Sequence, residues 1–132
     1  MRKILVVDDD STLVKLIAMA LEVNGYEGVT AGDGEQGLKA ASEESPDLIL
    51  LDIMMPVMDG LTMLEELRKT SYIPVIIISA YGDAERVDKA RELGIECFVS
   101  KPFGFEALIG IVDLVFREEE SESAQVPAEA ED

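Results

Sequence analysis

Lys3-Ile4-Leu5-Val6-Val7-Asp8-Asp9-Asp10 opens the chain with four consecutive apolar residues cut off by three carboxylates, and Asp47-Leu48-Ile49-Leu50-Leu51-Asp52 repeats the pattern. A short apolar run that does not alternate with polar residues is a strand covered on both faces, as in a parallel sheet. Further runs of this kind predict strands over Lys3–Val7, Tyr26–Ala31, Asp47–Leu51, Pro74–Ser79 and Ile95–Val99. Between them Leu13/Leu16/Ile17/Ala20, Gly37/Leu38/Ala41, Leu61/Leu64/Leu67 and Val87/Ala90/Leu93 recur at helical spacing, and Leu108/Val112/Val115 closes the set. Five β/α repeats predict an α/β fold with helices on both faces of the sheet. The punctuation agrees. Asn24-Gly25 and Gly94 suit left-handed helix ends, Asp59 suits an N-cap, and Pro46 and Pro74 halt helices before strands.

The 132 residues carry 28 acids against 11 bases, a formal charge of −17, which argues against nucleic acid or an anionic membrane surface as a partner. The acids at Glu118, Glu119, Glu120, Glu122, Glu129, Glu131 and Asp132 have no base among them, so 118–132 reads as a disordered acidic tail behind a single domain at 1–117. Cys97 has no cysteine to pair with and is expected to be a buried free thiol, consistent with a reducing cytoplasm. Asp8 cuts the first apolar run too short for a signal peptide, and no run approaches a membrane span.

Carboxylates at Asp8, Asp9, Asp10 and Asp52 emerge where strands end, and in open α/β sheets ligands bind beyond those ends. Crowded carboxylates repel one another unless a cation neutralises them, and an all-oxygen cluster suits Mg²⁺. Ser79 and Lys101, at the ends of strands four and five, add a hydroxyl donor and a positive charge. Phosphoryl transfer requires chiefly positioning and charge neutralisation, which these groups can supply.

Ile4-Leu5-Val6-Val7-Asp8-Asp9, Asp52-Ile53-Met54-Met55-Pro56-Val57-Met58-Asp59-Gly60, Ile76-Ile77-Ile78-Ser79-Ala80 and Phe98-Val99-Ser100-Lys101-Pro102-Phe103 together resemble the motif set of the response regulator receiver domains, over residues 2 to 117. The resemblance implies a CheY-like, flavodoxin-like (βα)5 sandwich with a parallel sheet of order 2-1-3-4-5. It implies Asp52 as phosphoacceptor, Asp9 as a direct Mg²⁺ ligand, Asp8 as a ligand through water, and the Met54 carbonyl as the remaining protein ligand. Ser79 would bond the phosphoryl oxygens, and Lys101 would pair with Asp52 before transfer and with the phosphoryl group afterwards. Phe98 matches the family's switch aromatic, and Lys101-Pro102 its cis peptide. The implied donor is a histidine kinase or histidine phosphotransfer protein, and the output is docking to a target protein, with homodimerisation on phosphorylation as one form of it. Such a domain catalyses only its own phosphorylation and dephosphorylation.

The sequence departs from the family at Gly104, where Asp or Ser usually caps the last helix. Met54 and Tyr81 hold two positions that, in the family this sequence resembles, influence the lifetime of the phosphoryl bond by controlling water access; neither side chain can activate water, so slow autodephosphorylation is expected. On a helical wheel the apolar arc of 105–117 spans roughly 220°, wider than the roughly 100° that a surface helix buries. Ile111 and Leu114 are therefore expected to meet a partner or a second copy, on the face of helix four, strand five and helix five.

Two other readings stand beside this one. Ile4 to Thr12 also fits the DxDxT signature of haloacid dehalogenase phosphatases, with Asp8 as nucleophile, although that family's last acidic motif should follow Lys101 and Gly82-Asp83 precedes it. Alternatively, the receiver is excised from a longer regulator with a separate output domain; the unfolded character of the tail favours a stand-alone protein. An EF-hand starting at Asp8 is excluded, since Leu13 stands where Gly belongs and Met19 where Glu belongs.

Overall fold

Strand and helix alternate five times in the computed structural model, which describes residues 1–80 and 84–131, those from 121 onward by backbone alone. The elements are β1 (Lys3–Val7), α1 (Ser11–Val23), β2 (Glu27–Ala31), α2 (Gly34–Glu44), β3 (Leu48–Asp52), α3 (Gly60–Arg68), β4 (Val75–Ser79), α4 (Ala84–Leu93), β5 (Cys97–Ser100) and α5 (Phe105–Glu131). All strand pairs are parallel and the order is β2-β1-β3-β4-β5. This is the expected flavodoxin-like topology.

The sheet is the middle of three layers because its side chains point alternately to two cores. Ile4, Val6, Leu48, Leu50, Ile76 and Ile78 meet α1 and α5, while Leu5, Val7, Ile49, Leu51, Val75 and Ile77 meet α2, α3 and α4. Every residue of β3 and β4 is buried. Removing each such Leu or Ile from water contributes roughly 1.5–3 kcal/mol, which is why the central strands read as unbroken apolar runs. Gly25 and Gly94 take φ of +88° and +99°, ending α1 and α4 as their positions predict.

Two expectations need correction. The buried stripe of α1 is Val14/Ile17/Leu21, with Leu13 and Ala20 at its margin and Leu16 exposed. Apolar residues surround most of this helix, so spacing alone does not select the inward face. Cys97 is half-buried rather than buried, and burial raises its thiol pKa. The last helix, α5, runs from Phe105 to Glu131. Glu118, Glu119 and Glu120 are good helix formers, and Arg2 pairs with Glu120 at 2.6 Å and Glu119 at 4.0 Å. Among the described side chains of α5, core packing ends at Phe116.

Candidate functional site

Four strands deliver the predicted residues to one edge of the sheet. Asp8 follows β1, Asp52 ends β3, Ser79 ends β4 and Lys101 follows β5. β1 pairs Val7 with Leu51, so Asp8 and Asp52 leave adjacent strands side by side. Ser79 pairs with Ser100, and its carbonyl accepts the Lys101 N–H at 2.8 Å, which ties the start of the β5–α5 loop to the end of β4. The Lys101-Pro102 peptide is cis.

Asp8, Asp52 and Ser79 are buried polar residues within this cluster of strand ends. Asp8 is the most firmly held, accepting from the Asp10 N–H at 3.0 Å and from Lys101 Nζ at 2.8 Å. Lys101 reaches Asp52 more loosely, at 3.5 Å, so its primary partner in this structure is Asp8 rather than Asp52. The Met54 N–H lies 3.4 Å from Asp52 Oδ1, a distance at which little hydrogen bonding remains. Carboxylate oxygens of Asp8, Asp9 and Asp52 all lie within 4.8 Å of one another. Asp10 takes no part, since its side chain caps α1 by accepting from the Thr12 and Leu13 N–H groups.

Two buried carboxylates thus share one ammonium. Burial foremost, and then the Asp8 charge, push the Asp52 pKa up to about 6, against the opposing pull of Lys101 and the Met54 N–H. Burial also disfavours the Lys101 ammonium, but its hydrogen bond to Asp8 and the Asp52 charge outweigh that, and its pKa is raised. With exposed Asp9 beside them, the carboxylates exceed the available positive charge and present only hard oxygen donors. This donor set fits Mg²⁺.

The remaining predicted residues surround this centre or lie apart from it. The Met54 side chain is exposed and touches the Arg86 guanidinium of α4, a neighbour that sequence spacing does not reveal. Phe98 is 39% exposed on β5, with the Arg91 guanidinium 5.0 Å from its ring centroid. On α5, Leu114 is 50% exposed, whereas Ile111 packs partly against the molecule's own core. Tyr81 lies outside the described residues.

The chain matches the model of the response regulator receiver domain over residues 4–113. It is 37% identical over 125 residues to the DNA-binding response regulator MtrA of Mycolicibacterium smegmatis, covering 95% of this chain and 55% of that protein. To the alkaline phosphatase synthesis transcriptional regulatory protein PhoP of Bacillus subtilis it is 39% identical over 122 residues, covering 90% of this chain and 50% of that one. It therefore spans about half the length of these relatives. Among solved structures, a CheY-like receiver domain protein from Methanospirillum hungatei superposes with a TM-score of 0.88 at 28% identity, covering 92% of this chain and 98% of that chain. The Francisella response regulator 1452 receiver domain gives 0.82 at 33%, covering 90% and 99%. Acidic strand ends, the 2-1-3-4-5 sheet and a family match across most of the sequence lead to one assignment: the chain belongs to the response regulator receiver domains.

Proposed function

We propose that this receiver accepts a phosphoryl group on Asp52, from a histidine kinase or histidine phosphotransfer protein, with Mg²⁺ held by Asp8, Asp9, Asp52 and the Met54 carbonyl. The observation that carries the proposal is the gathering of Asp8, Asp9 and Asp52 within 4.8 Å, with Lys101 bridging the two buried members. An Asp52 oxygen forms a bond to phosphorus while the phosphorus–nitrogen bond of the donor breaks and the imidazole leaves with its electron pair. Bound Mg²⁺ would screen the negative charge of the incoming phosphoryl oxygens. Lys101, already between Asp8 and Asp52, moves its charge to a phosphoryl oxygen, and the Ser79 hydroxyl donates to another.

Ser79 and Phe98 form the proposed switch, in which movement of Ser79 toward the phosphoryl group opens space for Phe98 to turn inward and leave Arg91. The output surface then includes Leu114 and the exposed flank of Ile111, which dock a target protein or a second copy. Sedimentation of phosphorylated wild type beside Ile111→Glu/Leu114→Glu, with target present, checks this; unchanged association would refute it.

The strong acidity of the chain supports action by docking to proteins, which a free-standing receiver would do without an attached output domain. The twofold greater length of MtrA and PhoP favours the alternative, a receiver joined to an output domain, and the mass of the native gene product separates the two. Acceptor chemistry is tested by intact mass after incubation with acetyl phosphate and Mg²⁺. Wild type gains one phosphoryl unit, Asp52→Asn gains none, and Asp8→Asn gains it more slowly. Labelling that persists in Asp52→Asn and vanishes in Asp8→Asn would move the nucleophile to Asp8, as in a haloacid dehalogenase-like phosphatase.

A further inference from the structure

The loop between β3 and α3 folds back onto the strand that bears Asp52. Its closing contact is made by Gly60, whose N–H donates to the Ile53 carbonyl at 2.8 Å. A Cβ on Gly60 would lie 2.1 Å from the Asp52 carbonyl oxygen, 2.8 Å from Ile53 Cα and 2.9 Å from the Asp52 carbonyl carbon. All three atoms are backbone, so no side-chain rotation makes room. Gly60 has no left-handed φ, and glycine is required there for space rather than for conformation.

The same loop is held at its far side. Gly34, at the start of α2, donates to the Met58 carbonyl at 3.1 Å, and a Cβ there would lie 2.5 Å from that oxygen. Between these two contacts Met58 donates to the Pro56 carbonyl at 2.8 Å around Val57, whose φ of +67° is costly for a β-branched residue. Such a conformation persists only where surrounding contacts enforce it. Two close backbone approaches therefore hold a strained loop against the peptide units of Asp52 and Ile53.

We infer that Gly60 is a positioning residue for phosphoryl transfer: by allowing the α3 N-terminus to sit on the Asp52 backbone, it sets the Asp52-Ile53-Met54 segment from which both the acceptor carboxylate and the Met54 carbonyl serve the site. The inference rests on the phosphoacceptor reading above. A methyl group at residue 60 must push either this segment or α3 away, and groups that support metal ligands typically change affinity 10- to 100-fold when altered.

The test is a Mg²⁺ titration of the full chain followed by amide NMR shifts, with the acetyl phosphate labelling rate measured alongside. Gly60→Ala is expected to weaken Mg²⁺ at least ~10-fold and to slow labelling even at saturating Mg²⁺. Val112→Ala, a core truncation on the opposite face of the sheet, should lower the melting midpoint and leave the Mg²⁺ constant unchanged. A folded Gly60→Ala that binds Mg²⁺ and labels like wild type overturns the inference. Should Gly60→Ala not fold, Gly34→Ala carries the test through Met58, with weaker Mg²⁺ binding expected and an unchanged constant overturning it. A wild type that neither binds Mg²⁺ nor labels would overturn the phosphoacceptor reading itself.

Discussion

At the C-terminal edge of the sheet Asp8 and Asp52 are buried with one ammonium between them, whereas at the opposite edge Arg2 and Lys3 pair with exposed glutamates. There Arg2 lies 4.1 Å from the Phe116 ring centroid and pairs with Glu120, while Tyr26 packs on Phe116 and donates to Asp113. Burial together with the Asp113 bond raises the Tyr26 pKa to about 12, so its proton stays in place. The same strands feed both edges. One edge fastens the last helix to the sheet, and the other keeps an excess of negative charge that a divalent cation and a phosphoryl group can use. The anchoring of the last helix and the excess of negative charge thus lie at opposite ends of the strands.

Breaking the balance at the functional edge should have the largest effect. Lys101→Met leaves Asp8 and Asp52 without their shared cation, and loss of one partner from a buried ion pair costs about 3–5 kcal/mol. Because Lys101 is partly solvent-exposed, about 2–3 kcal/mol is expected from urea unfolding in chelator, with Mg²⁺ restoring part of it. A loss no larger than that of a surface lysine would contradict the shared-cation account.

Asp52→Asn should act in the opposite direction. The folded pKa of Asp52, about 6, lies above the ordinary value of 3.8. Between these values the folded state binds more protons, so this residue's contribution to stability declines as pH rises from near 4 to near 6 and stays low above that. At pH 7 without metal, Asp52→Asn should therefore be more stable than wild type by about 1–3 kcal/mol. Denaturation from pH 4 to 8 checks both the sign and the window. Equal stability at pH 7 would show that Lys101 already compensates Asp52.

The smallest effect belongs to the opposite edge. Arg2→Ala removes a cation–π contact and exposed ion pairs, for a loss of about 1 kcal/mol. Labelling with acetyl phosphate should be unchanged, because nothing at that edge touches Asp52. A slower labelling rate would show that the two edges are coupled through the sheet.

Most of this contrast was legible in the sequence where burial dictates composition. β1, β3 and β4 lie within one residue of their expected limits, since a strand covered on both faces has no polar position to blur it, and the edge strands β2 and β5 lie within two of theirs. The convergence of Asp8, Asp52, Ser79 and Lys101 follows from parallel strands that end at one edge. What escaped depends on contacts between distant segments or on competing local options. Asp10 resembles Asp8 and Asp9 in sequence but caps a helix; Lys101 chooses Asp8 over Asp52 by a difference of under an ångström; α1 offers two apolar stripes. The role of Gly60 is invisible without the Asp52 carbonyl beside it, because an Asp-Gly pair reads simply as a helix start. Beyond Arg117, Glu119 and Glu120 of α5 pair with Arg2, at the other end of the chain.

The most direct test of the account locates the phosphoryl group itself. After brief labelling with acetyl phosphate and Mg²⁺, borohydride reduces an aspartyl phosphate to homoserine, and peptide mass mapping then identifies the modified position. Homoserine at residue 52 alone, absent without Mg²⁺, is the predicted result; homoserine at residue 8 or 9 would contradict it.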